Sequence, residues 1–325
     1  MNFKFNKALV TGGAGFIGSH LVDALISEGC EVRVIDDLST GSLSNIEHII
    51  EHITFYQGDI RDQKLLMQAA ADCDIIFHQA AVVSVPQTVV NPVESATINA
   101  MGTLFVLEAG RKNNVKRVVL AGSCAVYGDD PELPKHENMN PEPQSPYAVQ
   151  KLTGELYARL YHDLYKLETV CLRYFNVYGP RQDPSSPYSG VMSIFMTKAA
   201  ADSTPVIYGD GNQYRDFVYI KDVVRANLFA ANAHKAGGKI YNIGTGKAVR
   251  INELWAMISK LANKKIKPEY EPSRPGEIRE SLADIDCAKE ALGFEPEYSF
   301  ENGLKETSPI YCVVVFFQTL GILHV

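Results

Sequence analysis

Two side chains suited to proton transfer, Tyr147 and Lys151, lie four residues apart, so a helix would place them on one face. A free phenol has a pKa of ~10 and is a poor base at neutral pH. A neighbouring ammonium favours the phenolate, which would let Tyr147 remove a proton from a substrate hydroxyl. Ser123 ends a predicted strand and would orient the same oxygen. The sequence therefore predicts Ser123, Tyr147 and Lys151 as catalytic residues.

A glycine-rich segment follows the first predicted strand and opens a helix. In that setting Gly12 permits a tight turn, Gly15 lets the backbone approach a pyrophosphate, and Gly18 allows close packing of helix on strand. Phe16 and Ile17 lie in the first turn of the helix, where free N–H groups and the helix dipole favour an anion. This pattern predicts a dinucleotide site.

The second predicted strand ends in an acid, Asp36. A carboxylate at this position accepts hydrogen bonds from ribose hydroxyls and repels a 2′-phosphate, which favours NAD over NADP. The predicted cofactor site also includes the residues that follow this acid: Asp37, Ser39, Thr40 and Gly41.

The third and fourth predicted strands end in further candidate cofactor residues. Asp59 and Ile60 lie where an adenine edge could be read. The small residues Ala80 and Ala81, with Gln79 before them, would let the backbone pass close to a cofactor. We interpret His78 as a core histidine rather than a catalytic one. The histidines at 48 and 52 have a helix-like spacing but no third ligand, so no metal site is expected.

The composition is that of an ordinary globular enzyme. The chain has 325 residues, of which 46% are hydrophobic and 21% charged, and its net charge of -7 argues against nonspecific binding to nucleic acid or anionic membranes. Six cysteines without C-x-x-C spacing suggest free thiols in a reducing compartment. No signal-peptide pattern follows Met1, and the apolar run 310–317 is too short to cross a membrane. We therefore expect a cytoplasmic protein.

Strand-like and helix-like segments alternate through the first half of the chain. This alternation predicts parallel strands with right-handed crossovers, and hence an α/β fold with a doubly wound parallel (Rossmann) sheet. The predicted strands are Ala8–Thr11, Glu31–Asp36, Ile53–Gln57, Asp74–His78, Arg117–Gly122 and Thr169–Arg173. The predicted helices are Gly15–Ser27, Asp62–Ala71, Pro92–Lys112 and Ser145–Tyr165.

Three regions are predicted along the chain. Residues 1–180 would form the NAD-binding domain, 181–307 a smaller mixed α/β substrate-binding region, and 308–325 an atypical apolar tail. Segments near 206–244 are expected to return to the main sheet, in particular Arg215–Ile220 and Lys239–Gly244.

These motifs together resemble the extended short-chain dehydrogenases/reductases, and within them nucleotide-sugar epimerases of the UDP-glucose or UDP-N-acetylglucosamine 4-epimerase type. The resemblance runs from about Lys7 to Thr307 and rests on these segments: Thr11–Gly18, His78–Ala81, Ser123–Gly128, Tyr147–Lys151, Tyr174–Pro180, Gly209–Gly211, Arg215–Phe217, Tyr241–Gly244 and Arg274–Glu277. It implies NAD as cofactor, with further contacts from Asn99, Tyr147, Lys151, Tyr174 and Val177. It also implies a UDP-sugar substrate and a homodimer that pairs through the helices Pro92–Lys112 and Ser145–Tyr165.

The residues after Ser123 bear on the type of reaction. Related dehydratases and decarboxylases carry Glu there, often with a preceding Asp, whereas this chain has Cys124 and Ala125. Elimination is therefore disfavoured, and we interpret Cys124 as a packed thiol. The resemblance implies that Tyr147 takes the proton of the sugar 4-hydroxyl while C4 passes its hydride to NAD. The 4-keto sugar then turns over, and the hydride returns to its other face.

The substrate residues follow from the resemblance. Arg215 and Arg274 are suited to bidentate contact with a diphosphate. Ser281 matches a pocket position that is bulky in epimerases restricted to glucose and galactose, so its small side chain favours UDP-GlcNAc/UDP-GalNAc, alongside UDP-Glc/UDP-Gal. The other predicted substrate contacts are Ser84, Asn176, Val191 and Tyr208.

Three alternatives stay open at this point. A UDP-glucuronate 4-epimerase would use the same core with an added cation near C6. A net dehydrogenase or reductase of the same family would consume or form NADH in proportion to product. A non-enzymatic NAD-binding regulator would turn over no sugar nucleotide.

Overall fold

The structure is a computed structural model that describes residues 3–183, 190–273 and 279–308. Its strands are β1 (Lys7–Thr11), β2 (Glu31–Asp36), β3 (Ile53–Gln57), β4 (Ile75–His78), β5 (Arg117–Ser123), β6 (Glu168–Tyr174), β7 (Asn176–Tyr178), β8 (Val206–Tyr208), β9 (Tyr214–Tyr219), β10 (Lys239–Ile243), β11 (Ala248–Arg250) and β12 (Glu269–Glu271). The six strands predicted for the first half of the chain are confirmed, each to within one residue at either end.

The helices of the same part are α1 (Phe16–Ser27), α2 (Gln63–Ala70), α3 (Val85–Val90), α4 (Pro92–Ala96), α5 (Gly102–Lys112), α6 (Pro146–Tyr165), α7 (Val191–Ala200), α8 (Ile220–Asn232), α9 (Ile251–Leu261) and α10 (Asp286–Leu292). A π-helical turn, Thr97–Met101, joins α4 to α5, so the predicted helix Pro92–Lys112 forms with a widened turn in its middle. Residues 300–308 are also helical. No helix in the described part of the chain is long and apolar enough to span a membrane.

Seven of the strands form one parallel sheet in the order β10-β6-β5-β4-β1-β2-β3. Helices α1 and α8 pack against one face, and α2, α5 and α6 against the other. The expected doubly wound α/β fold is thereby confirmed. The chain crosses from β3 to β4 past β1, and in such sheets ligands bind at the carboxyl ends of the strands beside this switch point.

Successive residues of each central strand face opposite sides of the sheet, and both sides are buried. In β1, Ala8 and Val10 belong to the core beneath α1 and α8, while Leu9 belongs to the core beneath α2, α5 and α6. In β5, Val119 and Val118 divide in the same way. Because these strands are buried on both faces, their carboxyl ends are held in fixed positions. The candidate site residues lie at these ends.

The second half of the chain returns to the main sheet only in part. The predicted segment Lys239–Gly244 forms β10, which pairs with β6 at the sheet edge. The expectation for Arg215–Ile220 is wrong, because β9 pairs with β7 and β11 in a separate three-stranded sheet. Its β-prone sequence predicted a strand, but the pairing partner is a long-range choice. The helix after it, α8, is the element that packs back on β5 and β6.

Candidate active site

The glycine-rich turn between β1 and α1 has the geometry that a close ligand approach requires. Gly12 has a φ of +68°, and a Cβ there would lie 2.7 Å from the backbone nitrogen of Ala80. A Cβ on Gly18 would collide with the Gly12 carbonyl oxygen. A Cβ on Gly15 would meet that oxygen at 3.2 Å and otherwise open space. The turn is therefore tightly packed at Gly12 and Gly18, whereas Gly15 has free space beside it.

Helix α1 begins directly at this opening. Its N-cap, Gly15, provides no side-chain hydrogen bond, and Phe16 and Ile17 form its first turn. The N–H groups of this turn and the positive end of the helix dipole suit a pyrophosphate. Together with the acid at the end of β2, this donor set fits a dinucleotide.

That acid, Asp36, is buried and accepts two backbone hydrogen bonds. Ala14 N donates to one carboxylate oxygen at 2.9 Å, and Leu38 N donates to the other at 2.9 Å. Burial raises the pKa of Asp36, and these backbone bonds oppose the rise. Each carboxylate oxygen has two acceptor positions, so these backbone bonds leave a position to which a ribose hydroxyl can donate.

The loop after Asp36 places the other predicted residues around it. A Cβ on Gly41 would lie 2.9 Å from an Asp36 oxygen, so this loop must approach the carboxylate closely. Asp37 is exposed and accepts hydrogen bonds from the backbone N and the hydroxyl of Ser39, at 2.9 and 2.7 Å. Thr40 is exposed beside them.

At the end of β3, the structure shows an ion pair that was not predicted from the sequence. Asp59 accepts hydrogen bonds from Arg61 Nε and Nη2 at 2.9 and 2.7 Å, and Arg61 also reaches Glu94 at 2.6 Å. The arginine two residues after the acid was the available signal. Ile60 is buried in the core beneath α2 and α5. The Asp59 side chain is therefore engaged by protein.

His78, at the end of β4, is a neutral core residue, as interpreted. Thr103 gives its hydroxyl proton to the Asn99 carbonyl at 2.6 Å, so its oxygen accepts from His78 Nε2 at 2.9 Å. His78 Nδ1 then accepts from the Thr11 hydroxyl at 2.7 Å. Burial lowers the pKa of His78 to about 3. This histidine cannot serve as an acid or base near neutral pH.

The three residues after β4 are partly buried at the switch point. Ala80 N donates to the Thr11 hydroxyl at 3.3 Å, and Ala81 follows it. Gln79 Nε2 donates to the Tyr174 hydroxyl at 3.3 Å and to Asn227 Oδ1 at 3.3 Å.

Asn227 and Tyr174 complete this polar trio. Asn227 Nδ2 donates to the Tyr174 hydroxyl at 2.8 Å, although α8 lies far away in sequence. The signal in the sequence was an amide among the apolar residues of α8, and the structure shows that Asn227 is fully buried. Val177 lies nearby along the chain, partly buried in β7.

Asn99 holds the loop after β4 rather than facing an open cleft. Its amide exchanges two hydrogen bonds with the Val82 backbone, at 2.8 and 2.9 Å, and donates to Gln150 Oε1 at 2.8 Å. Its side chain is buried. A role in cofactor binding for Asn99 stays a prediction.

The predicted catalytic residues come together at the carboxyl end of β5. Ser145 caps α6 by accepting from Ala148 N at 3.2 Å, and a proline follows at the first helical position, so Tyr147 lies in the first turn. Lys151, one turn later, has its Nζ 5.9 Å from the centre of the Tyr147 ring. It also donates to the Ala121 carbonyl oxygen at 2.9 Å, which ties it to the strand that ends in Ser123.

Burial controls the proton affinities of this group. It raises the pKa of Tyr147 to about 12, and the adjacent Ser123 hydroxyl opposes the rise. Burial also lowers the pKa of Lys151 to about 8, and the Glu155 carboxylate opposes that fall. The folded protein alone thus disfavours charge on both groups. A cationic nicotinamide ring beside them would favour the phenolate.

Cys124 and the predicted substrate residues Arg215 and Ser281 share one neighbourhood. Burial raises the pKa of the Cys124 thiol to about 11, and both Arg215 and the Ser281 hydroxyl oppose the rise. Cys124 is therefore a neutral thiol near neutral pH, which supports its interpretation as a packed residue. Arg215 Nη1 donates to the carbonyls of Tyr214 and Arg279, at 2.9 and 3.1 Å.

The remaining predicted substrate residues lie on separate elements. The Ser84 hydroxyl caps α3 by accepting from Gln87 N at 3.1 Å. The others are placed as follows: Asn176 begins β7, Val191 begins α7, Tyr208 ends β8, and Arg274 lies outside the described residues.

Comparison with known proteins agrees with this geometry. Residues 8–244 match the NAD dependent epimerase/dehydratase family. A putative UDP-glucose 4-epimerase of Methanocaldococcus jannaschii is 44% identical over 299 residues, which cover 91% of this chain and 95% of that protein.

Two solved structures are similar along nearly their whole length. One is a UDP-N-acetylglucosamine 4-epimerase from Methanobrevibacter ruminantium, with a TM-score of 0.91 and 41% identity over 96% of this chain and 99% of that one. The other is a UDP-glucose 4-epimerase from Thermotoga maritima, with a TM-score of 0.90 and 38% identity over 95% and 99%. The chain therefore belongs to the NAD-dependent epimerase/dehydratase family, whose cofactor its glycine turn and its acid after β2 are built to hold.

Proposed function

We propose that this enzyme interconverts UDP-hexoses that differ in configuration at C4, with NAD as a bound catalyst, and that it favours UDP-GlcNAc and UDP-GalNAc. The observation that carries the reaction is the placement of Tyr147 between Lys151 on its own helix and Ser123 at the end of β5. This placement lies at the same sheet edge as the glycine turn.

Bound NAD supplies the hydride acceptor and donor. Tyr147 takes the proton of the sugar 4-hydroxyl and returns it after the sugar has turned over. The Ser123 hydroxyl holds the same oxygen, and Lys151 stabilises the phenolate through its charge. Cofactor and proton are both restored at the end of each cycle, so no external oxidant is consumed.

The neighbours of Ser123 favour epimerisation over elimination. Loss of water or of a carboxylate needs a proton donor beside the keto sugar, and the two positions after Ser123 hold Cys124 and Ala125. Burial keeps Cys124 a neutral thiol whose pKa of about 11 makes it a poor acid at neutral pH.

The preference for acetamido sugars rests on Ser281. Its side chain is 9% exposed, its backbone N donates to the Tyr214 carbonyl at 3.3 Å, and its hydroxyl lies beside the Cys124 thiol. Both side chains are small, which supports the proposal that the enzyme accepts a group larger than a hydroxyl at this position. Arg215 lies close enough to influence the same thiol, which supports its predicted contact with the diphosphate.

An exposed apolar stripe on α6 supports the expected homodimer. Leu156, Leu160 and Leu164 recur every four residues and are 57%, 49% and 65% exposed. Val90 of α3 and Val93 of α4 add apolar surface on two helices that contact α6. Apolar surface of this kind marks an interaction face, and we assign it to a second copy of the chain.

The same proposal assigns a role to each region of the chain. Residues 1–180 with β10 would bind NAD, and residues 181–307 would supply most substrate contacts. The free thiols of the described cysteines support the proposed cytoplasmic location.

The decisive experiment incubates the purified protein separately with UDP-Glc, UDP-GlcNAc and UDP-glucuronate, without added NAD, and analyses products by NMR. We expect C4 epimers without net change in NADH, fastest for the acetamido pair. Tyr147→Phe should retain NAD and the wild-type melting temperature but lose about 10²-fold or more in turnover. Stoichiometric NADH formation, or an undiminished Tyr147→Phe rate, would refute the proposal.

A further inference from the structure

A buried ion pair lies one helical turn beyond Lys151. Glu155 follows Lys151 by four residues, so the two share a face of α6. Its carboxylate accepts three hydrogen bonds from Arg173 of β6: Nε donates to both oxygens at 3.0 and 3.2 Å, and Nη2 donates at 2.7 Å. Both side chains are only 2% exposed.

The pair reaches towards the catalytic group on two sides. A Cβ on Gly122, the residue before Ser123, would lie 3.1 Å from Glu155 Oε1, so the carboxylate packs directly against β5. The guanidinium of Arg173 lies 4.7 Å from the centre of the Tyr127 ring, in the turn that follows Ser123.

A small cavity connects the pair with Lys151. It has a volume of about 10 Å³, and both Lys151 and Glu155 line it together with Gly122 and Gln150. This is room for about one water molecule beside two groups that can bond to it. Lys151 and Glu155 therefore line the same buried polar cavity.

Stability alone explains this pair poorly. Burying two charges costs desolvation that their attraction barely recovers, and apolar replacements of such pairs are often neutral or stabilising. Arg173 Nη1 adds to that cost, because it has no hydrogen-bond partner among the described residues. The pair is better explained by the field it creates at Lys151.

The groups around Lys151 leave Glu155 as its anion. Tyr147 and Glu155 face it from α6, His78 from β4 and Cys171 from β6, with Arg173 behind Glu155. His78 is neutral above pH 3 and burial raises the pKa of Cys171, so both are neutral at working pH. Tyr147 is the group whose phenolate the Lys151 ammonium stabilises in the proposed reaction. Among the described titratable neighbours, Glu155 is thus the one whose negative charge favours the ammonium form of Lys151.

We propose that Glu155, held by Arg173, is a positioning residue that keeps Lys151 protonated and directed at Tyr147. This inference rests on the proposed function for its kinetic readout only. Burial raises the pKa of Glu155, and the hydrogen bonds and charge of Arg173 oppose that rise while they hold the carboxylate in place. The two residues thus set the upper pH limit of the reaction without touching the substrate.

The test compares pH profiles of Glu155→Gln and of the double variant Glu155→Gln/Arg173→Met. In Glu155→Gln, Arg173 remains as an unpaired cation, so the alkaline limb of kcat should move to lower pH by about one unit. In the double variant both charges are gone, so no unpaired buried charge destabilises the fold. Its alkaline limb should lie between those of wild type and Glu155→Gln.

The control is another arginine–glutamate pair, at the amino ends of β5 and β6, whose glutamate side chain is 44% exposed. Arg117 of β5 donates through Nε to Glu168 of β6 at 3.0 Å, far from the reactive edge. Glu168→Gln should leave the pH profile unchanged. A double variant that melts like wild type and keeps the wild-type alkaline limb would overturn the proposal.

A second readout separates this proposal from the proposed function. The affinity of the cofactor-free protein for NAD is measured by calorimetry between pH 6 and 9. The pH at which this affinity changes as Lys151 titrates should shift in the same order across the variants. If the wild type turns over no UDP-sugar but this order holds, only the proposed function fails. If turnover is normal and all limbs coincide, only the role of Glu155 fails.

Discussion

Lys151 Nζ lies 5.9 Å from the centre of the Tyr147 ring while it donates a hydrogen bond to the Ala121 carbonyl at 2.9 Å. The lysine is therefore fixed to the strand that carries Ser123 rather than left to follow the phenol. This arrangement separates two tasks: the strand sets the position of the ammonium, and the helix sets its distance from the ring.

The first prediction concerns pH. Burial lowers the pKa of Lys151 from 10.5 to about 8, so its ammonium is lost as pH rises through about 8. Because the ammonium stabilises the phenolate of Tyr147, kcat should fall above that pH. An initial-rate profile between pH 6 and 10 checks this. Lys151→Arg keeps its charge throughout this range and should lack that limb, even if its rate is low.

The second prediction tests the glycine turn. Gly12→Ala combines a φ of +68° with a Cβ 2.7 Å from Ala80 N, so it should abolish NAD retention and cost more than about 1 kcal/mol of stability. Gly29→Ala is the matched control, because its φ is +79° but no atom lies within 4 Å of the added Cβ. It should lower the melting temperature slightly and leave the NAD content intact. Equal NAD loss in both variants would contradict a role for close packing.

The third prediction tests the acid after β2. Asp36→Asn removes the charge that would accept ribose hydroxyls and replaces an acceptor facing Ala14 N or Leu38 N with a donor. NAD affinity should fall about 10-fold or more, and discrimination against NADP should weaken. Calorimetric titration of both cofactors measures this. Asp163→Asn, exposed near the C-terminal end of α6, is the control and should change neither affinity. A comparable loss there would show that the effect is not specific to the acid after β2.

The fourth prediction concerns specificity. Ser281→Tyr places a bulky ring beside Cys124, so turnover of UDP-GlcNAc should fall about 10-fold or more while turnover of UDP-Glc is kept. The ratio of kcat/KM for the two substrates is the measurement. Ser281→Ala, which preserves the space, should keep the wild-type ratio. Unchanged selectivity in Ser281→Tyr would remove the basis for the preferred substrate.

The fifth prediction concerns assembly. Leu160→Glu places a charge in the middle of the exposed α6 stripe, where the side chain is 49% exposed. A dimer that buries this stripe should dissociate, and light scattering coupled to gel filtration should report the monomer mass. Met257→Glu, on the similarly exposed surface of α9, is the control and should leave the mass unchanged. A wild type that is already monomeric would reject the proposed interface.

Much of the site was readable from local sequence because its parts depend on short-range geometry. Four-residue spacing places Tyr147 and Lys151 on one helix face, and a serine before a proline marks where that helix begins. The strand-turn-helix context of Gly12 and the strand-ending Asp36 were likewise visible along the chain. Each of these inferences needs only the period of a helix or strand and its end signals.

Contacts between distant segments were decided by the tertiary structure. The β-prone residues 214–219 form a strand, but their partners are β7 and β11 rather than the main sheet. Arg61 reaches Glu94 of α4, and Asn227 reaches Tyr174 from a distant helix. The charge environment of Lys151 depends on Arg173, which no local pattern links to it. Spacing along a helix is set by backbone geometry, whereas pairing and burial arise only when the whole core packs.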